Sequence, residues 1–268
     1  MNLNINKKAI LVVSFGTSYN DTREKTIGAI ERKIADAFPE FDIRRAFTSK
    51  IIINILKERD NLKIDNVSEA MNKLFEEGYG FVIIQPTHVM NGEEYEGLLK
   101  SAEPFNDKFL KIEYGQPLLT SSEDFTESVA VIAESVPEIK DENTAVVFMG
   151  HGTEHYADAA YAALDYRFKA MGYSNVYVGT VEGYPDTKQV VNFVDAGSYK
   201  RVVLYPFMIA AGDHANNDMA GNEPDSHKSI LEKEGFKVDT YIHGLGENPN
   251  IRNLFVERAN ESWDALQK

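Results

Sequence analysis

Cysteine is absent from the 268 residues. That removes disulfides, thiolate metal ligands, iron–sulfur clusters and cysteine nucleophiles together, so any metal must be held by histidine, carboxylate or backbone oxygen. Cations are in deficit: 28 Lys and Arg face 42 Asp and Glu, a formal charge of −14, which argues against a nucleic-acid partner. Long apolar runs are missing as well. None approaches the roughly 20 residues needed to cross a bilayer, so no membrane partner is expected. The first stretch, MNLNINKKAILVVSF, has lysines and a short apolar run but continues into Gly16-Thr17 and a charged helical pattern with no small-residue cleavage site. A buried strand in a cytoplasmic protein is the expectation. The chain also lacks Gly-x-Gly-x-x-Gly behind a strand, Gly-x-x-x-x-Gly-Lys-Ser/Thr and Gly-x-Ser-x-Gly. Dinucleotide binding, P-loop ATP use and an α/β-hydrolase elbow are therefore unsupported.

What is present alternates. AILVVSF (9–15), FDIRRAF (41–47), FVIIQP (81–86) and KIEYG (111–115) read as strands, and so do TAVVFMG (144–150), VYVGTVE (176–182), RVVLYPF (201–207) and KVDTYIHG (237–244). Amphipathic stretches separate them: 21–38, 50–59, 67–77, 93–101 and an acidic helix near 122–135. Strands alternating with helices predict parallel sheets with right-handed crossovers, hence an α/β protein of two similar Rossmann-like domains. The boundaries are read as 1–125 and 126–268, the second carrying the chemistry and the last helix free to pack on the first. The halves resemble copies. SFGTSYND (14–21) parallels GHGTEHYAD (150–158), and Pro86 and Pro206 each stand six residues before a glycine.

In open parallel sheets, ligands bind beyond the carboxyl ends of the strands. His88, His151, Glu182 and His214 fall at such ends, the last three on successive strands of one half. Two imidazoles and a carboxylate form a common ligand set for Zn²⁺, Co²⁺, Ni²⁺ or Fe²⁺, and an open coordination position would leave room for a substrate. Each residue alone has a blander reading, since an isolated histidine is more often a satisfied core or surface residue and Glu182 could face solvent at a turn. His155 lies four residues after His151, but there is no His-Glu-x-x-His pattern, so His155 is expected to support the site or line a substrate. His227 and His243 have no convergent partner and read as structural. The segment AAGDHANNDMAGNEPDS (210–226) is long for a strand-to-helix connection, which favours a functional loop.

These motifs resemble those of a known family. ILVVSFGTSYNDTREKTI, IIQPTHVMNGEEYE, GHGTEHYADAAY, GTVEGYPD and LYPFMIAAGDHANNDMAG look like the anaerobic cobalt chelatases that act on sirohydrochlorin in cobalamin synthesis, relatives of the ferrochelatases. The resemblance implies two chelatase-like domains with an active-site cleft between them. It also implies insertion of Co²⁺ into sirohydrochlorin, or into precorrin-2, without ATP, nucleotide or any cofactor beyond the substrate ion. Position by position, His151 and His214 match the family's metal-binding histidines and Glu182 its carboxylate partner, with His151 also its proton acceptor. Phe15, His88, Glu93, His155 and Met208 are the expected substrate-binding residues. Homo-oligomerisation is left open. A carboxylate-rich substrate needs local cations, for which Arg23, Arg44, Arg45 and Lys50 are candidates. Iron or nickel insertion into a related tetrapyrrole, or non-catalytic tetrapyrrole and metal binding, are the alternative readings.

Overall fold

The computed structural model describes residues 3–197 and 199–268. The chain divides into two compact units, one running to Leu118 and including Pro249–Lys268, the other spanning Leu119–Asn248.

Unit one contains β1 (Asn4–Ser14), α1 (Asn20–Lys25), α2 (Ile27–Ala37), β2 (Asp42–Phe47), α3 (Lys50–Asp60), α4 (Val67–Glu76), β3 (Tyr79–Pro86), α5 (Glu93–Ala102) and β4 (Lys111–Tyr114). Its four strands are parallel in the order β2-β1-β3-β4. The apolar run of β1 is covered on both faces: Ile10, Leu11, Val12 and Val13 are fully buried. Each such aliphatic side chain contributes about 1.5–3 kcal/mol of transfer free energy. The helix read over 21–38 is two helices broken at Thr26, whose backbone (φ −112°, ψ −82°) leaves the helical region while its hydroxyl donates to the Thr22 carbonyl at 2.6 Å. A threonine hydroxyl bonded back along the chain competes with the helical ladder in this way.

Unit two contains α6 (Ser122–Ser135), β5 (Thr144–Gly150), α7 (Ala159–Ala170), β6 (Val176–Thr180), α8 (Thr187–Ala196), β7 (Arg201–Pro206), α9 (His227–Lys233) and β8 (Lys237–Thr240). Its strands are also all parallel, in the order β6-β5-β7-β8. Counted along each unit, both sheets run second-first-third-fourth, the topology expected of copies. The division after Leu118 precedes the sequence-based boundary at 125/126 because α6 is tied to α7. Arg167 donates to the Thr126 hydroxyl at 2.6 Å and to the Ser122 hydroxyl at 2.7 Å. The last helix, α10 (Pro249–Gln267), belongs to unit one, where it packs on α2, β3 and β4, with Trp263 edge-on to Phe41.

Two strands, β6 and β8, are shorter than their sequence patterns by two residues or more. β6 stops at Thr180: the Val181 N–H makes the last ladder bond, to the Gly150 carbonyl, and the chain then turns, with the Thr180 N–H bonded to the Pro185 carbonyl. β8 stops at Thr240, paired to Leu204 just before β7 closes on Pro206, which has no N–H to extend a ladder. Among the described residues no helix is long and apolar enough to cross a membrane.

Candidate metal centre

His151 follows the last residue of β5, and its position depends on glycine at both neighbours. A Cβ on Gly150 would come 2.0 Å from the Tyr161 ring, and one on Gly152 would come 2.2 Å from the Gly183 nitrogen. Gly152 also sits at φ +83°, where an L side chain is strained. The turn is closed from below by the Tyr161 hydroxyl, which accepts from the Gly152 N–H at 3.3 Å; burial pushes the phenol up to about 12, so it stays protonated.

Glu182 is delivered by the turn after β6. The Glu182 N–H donates to the His151 carbonyl at 2.9 Å, and the Val181 N–H to the Gly150 carbonyl at 3.1 Å. The turn closes on itself through the Thr180 N–H, donated to the Pro185 carbonyl at 2.8 Å, and the Gly183 N–H, donated to the Thr180 hydroxyl at 3.1 Å. Asp158 then clamps the two loops together. One of its oxygens accepts from the Thr153 N–H at 3.0 Å, the other from the Tyr184 N–H at 2.8 Å.

His214 enters from the connection after β7. That segment, read as a loop, contains a helical turn ending in a π turn over Ala215–Met219, with the Ala220 N–H bonded to the Ala215 carbonyl at 3.2 Å. Buried Ala215 and Met219 anchor it to the core of unit two. π turns often mark functional sites.

The three side chains converge. One ligand atom from each of His151, Glu182 and His214 lies within 4.8 Å of the others. The imidazoles meet edge to face, with centroids 4.4 Å apart and planes at 81°. His151 Nδ1 lies 3.8 Å from Glu182 Oε2. The Nδ1 atoms of both histidines are already engaged, that of His151 with the Gly152 carbonyl at 2.9 Å and that of His214 with Asp218 Oδ2 at 2.8 Å. Carbonyl and carboxylate oxygens only accept, so each Nδ1 carries a proton, and in the neutral ring each Nε2 keeps its lone pair. Their side chains are about half exposed (43%, 58% and 34% for His151, Glu182 and His214), so a solvated ion can reach them. Three nitrogen and oxygen donors that leave further positions open suit a site that binds a divalent cation and gives it up again.

The other expected residues are more dispersed. His155 stands at the start of a short turn, its Nδ1 accepting from the Ala157 N–H at 3.2 Å, and is not a member of the cluster. Met208 is half-buried against the core of unit two. In unit one, Phe15 at the end of β1 and Glu93 at the start of α5 are exposed. His88, expected to bind substrate, is instead buried, with both ring nitrogens lacking a partner and its pKa lowered to about 4 by desolvation. The candidate cations also separate. Arg44 is committed to Glu77 and the Tyr79 hydroxyl, Arg45 makes a bidentate pair with Glu31, and Arg23 is buried with its Nε and Nη1 unsatisfied. Lys50 remains accessible and lines a cavity of about 270 Å³ with Lys57, Lys63, Asn54 and Asn66. Asp158 and Asp218 were not singled out by the sequence reading. A His-x-x-x-Asp spacing, one helical turn apart, was the available signal for Asp218.

The family model for cobalt chelatase (CbiK) matches residues 8–264. The sirohydrochlorin cobaltochelatase of Salmonella typhimurium is 41% identical over 256 residues, covering 96% of both chains. Sirohydrochlorin cobaltochelatase CbiKC of Nitratidesulfovibrio vulgaris is 32% identical over 266 residues, covering 98% of this chain and 93% of that one. Among solved structures, SirB from Bacillus subtilis with Fe3+ shares the fold at a TM-score of 0.64 and 16% identity, over 98% of each chain. The family match and the two full-length relatives lead to one conclusion: this chain belongs to the CbiK cobalt chelatase family.

Proposed function

We propose that the protein inserts Co²⁺ into sirohydrochlorin, as a step of cobalamin biosynthesis, with no nucleotide in the reaction. The observation that carries this reading is the convergence of His151, Glu182 and His214 in a chain whose full-length relatives are named for that activity. The chemistry asks for three things: waters must leave the ion, two pyrrole protons must leave the macrocycle, and the ion must pass from protein to ring. Three protein donors with open positions allow water exchange without a closed cage that would retain the ion. A free imidazole Nε2 is a proton acceptor. In this scheme His151 and His214 present the ion, His151 or a water it polarises takes pyrrole protons, and Glu182 offsets the positive charge. Recognition of the macrocycle is assigned to Phe15, Glu93, His155 and Met208. The absence of phosphate-binding sequence patterns supports a reaction without ATP.

The test is the absorbance change of sirohydrochlorin on adding Co²⁺, with and without protein, repeated with Fe²⁺ and Ni²⁺ because nitrogen and oxygen ligands alone do not select cobalt. Accelerated insertion with Co²⁺, lost in a folded His151→Ala variant, is the expected result. Stoichiometric pigment and metal binding with no acceleration would make this a carrier, and retained turnover in His151→Ala would remove the assigned proton acceptor.

A further inference from the structure

The two imidazoles of the cluster are not equivalent. His151 Nδ1 is bonded to a neutral backbone carbonyl, whereas His214 Nδ1 faces the Asp218 carboxylate at 2.8 Å. Hydrogen bonds to an ionised acceptor are roughly twice as strong as neutral ones, and a carboxylate behind a ligating imidazole orients the ring and strengthens its donation. We infer that Asp218 is a positioning residue that makes His214 the holding ligand for the ion, leaving His151 the weaker ligand and the one free for proton transfer. This division of labour rests on the proposed function for its catalytic half, while its metal-binding half stands without it.

The segment that carries the pair is built to keep it. Three successive side-chain contacts, each spanning four residues, fasten this turn: Asn216 Nδ2 to the Gly212 carbonyl at 2.7 Å, Asn217 Nδ2 to Asp213 Oδ1 at 2.9 Å, and His214 to Asp218. Gly221 lets the chain fold back tightly, since a Cβ there would come 2.2 Å from the Asn217 carbonyl oxygen. Buried His227, at the start of α9, lies within electrostatic reach of Asp218. Asp218 therefore belongs to a layer beneath the cluster. Its side chain is 43% exposed, so solvent screening moderates the effect without removing the orienting bond.

The experiment titrates Co²⁺ against the full chain in the absence of tetrapyrrole, following the visible absorption of the bound ion, for wild type, Asp218→Ala, Asp218→Asn and Asp218→Glu. Loss of a carboxylate behind a ligating histidine typically costs about 10–100-fold in metal affinity. Asp218→Ala should lose affinity in that range, Asp218→Asn should lose less, and Asp218→Glu should recover part of it. In insertion assays Asp218→Ala should raise KM for Co²⁺ while keeping kcat at saturating metal, whereas His151→Ala should lose insertion at any metal concentration. Co²⁺ affinity within about twofold of wild type in a folded Asp218→Ala variant would overturn the inference, as would a fall in kcat with KM for Co²⁺ unchanged. If Asp218→Ala does not fold, the near-isosteric Asp218→Asn carries the same comparison. A metal-affinity loss in a protein that never accelerates insertion would retain Asp218 as the positioning residue and reject the proposed function alone.

Discussion

The Glu182 backbone N–H donates to the carbonyl oxygen of His151 at 2.9 Å, so two members of the cluster spring from one backbone junction. Their separation is set by main chain, which holds position better than two long side chains meeting in solvent. The junction depends on Gly152 being bare, with φ +83° and the Gly183 nitrogen 2.2 Å from where a Cβ would stand. Gly152→Ala should therefore push the loops apart. A left-handed conformation alone costs an alanine about 1–2 kcal/mol, and here the clash is with backbone that has no rotamer to yield. The expected outcome is a lower Tm and at least a tenfold loss of Co²⁺ affinity. Gly97→Ala is the control, because a Cβ in that helical position meets nothing within 4 Å, and it should stabilise by about 0.5–1 kcal/mol.

Asp158 should behave as the clamp between the same loops. Asp158→Ala leaves the Thr153 and Tyr184 N–H groups without their acceptors. Both loops are partly solvated, so water replaces some of the loss, and a stability decrease of about 1 kcal/mol is expected. The site should suffer more than the fold. Co²⁺ affinity should fall several-fold in Asp158→Ala and less in Asp158→Asn, which keeps one acceptor oxygen. Urea denaturation and metal titration together separate the two effects, and equal losses in both variants would show that one acceptor oxygen is not enough to hold the loops.

The cluster was legible because its residues stand at the ends of apolar runs, where parallel-sheet geometry places side chains at one edge. β5, spanning Thr144–Gly150, has the bounds read from its sequence run. Asp158 and Asp218 were not legible for a physical reason: in a chain with 42 acidic residues a carboxylate carries no signal until its partner is known. The break at Thr26 was hidden because the apolar spacing continues through it, and only the backbone torsion there, φ −112° and ψ −82°, leaves the helix. His88 misled because a histidine after a strand reads the same whether its ring meets solvent or the core. The basic candidates misled similarly, since Arg44 and Arg45 find Glu77 and Glu31 across elements distant in sequence.

Burial of His88 predicts a specific loss of stability in acid. Its folded pKa, near 4, lies below the usual 6.5, so between those values the unfolded chain takes a proton that the folded protein refuses. Stability is then fully present above about pH 6.5 and declines as pH falls toward 4, by about 3 kcal/mol over the whole window. His88→Leu should flatten that part of the curve while leaving stability at pH 7 unchanged or higher, because it also removes two buried nitrogens that have no partner. Buried His227, also near 4, keeps a slope of similar size in the variant. Urea unfolding at pH 7 and pH 4.5 decides it: identical pH slopes in variant and wild type would mean that the ring gains a proton on the folded protein.

Lys50 should matter through substrate rather than through metal. It shares its cavity with Lys57 and Lys63, and no carboxylate among the described residues forms a salt bridge with any of the three, whereas Arg44 and Arg45 are already neutralised. Three cations against one carboxylate in that lining, Glu69, leave a net positive patch in a chain of net charge −14, suited to the carboxylates of a tetrapyrrole. An exposed charge pair at about 4 Å is worth roughly 1 kcal/mol in water, which corresponds to about a fivefold change in affinity. Lys50→Gln should accordingly raise KM for sirohydrochlorin several-fold with kcat and Co²⁺ affinity unchanged, and adding Lys57→Gln and Lys63→Gln should raise it further. The same variants should blunt the rise of KM with salt, because the interactions removed are the ones that salt screens. A KM for sirohydrochlorin that stays at the wild-type value in the triple variant, at low salt, would take these lysines out of substrate recognition.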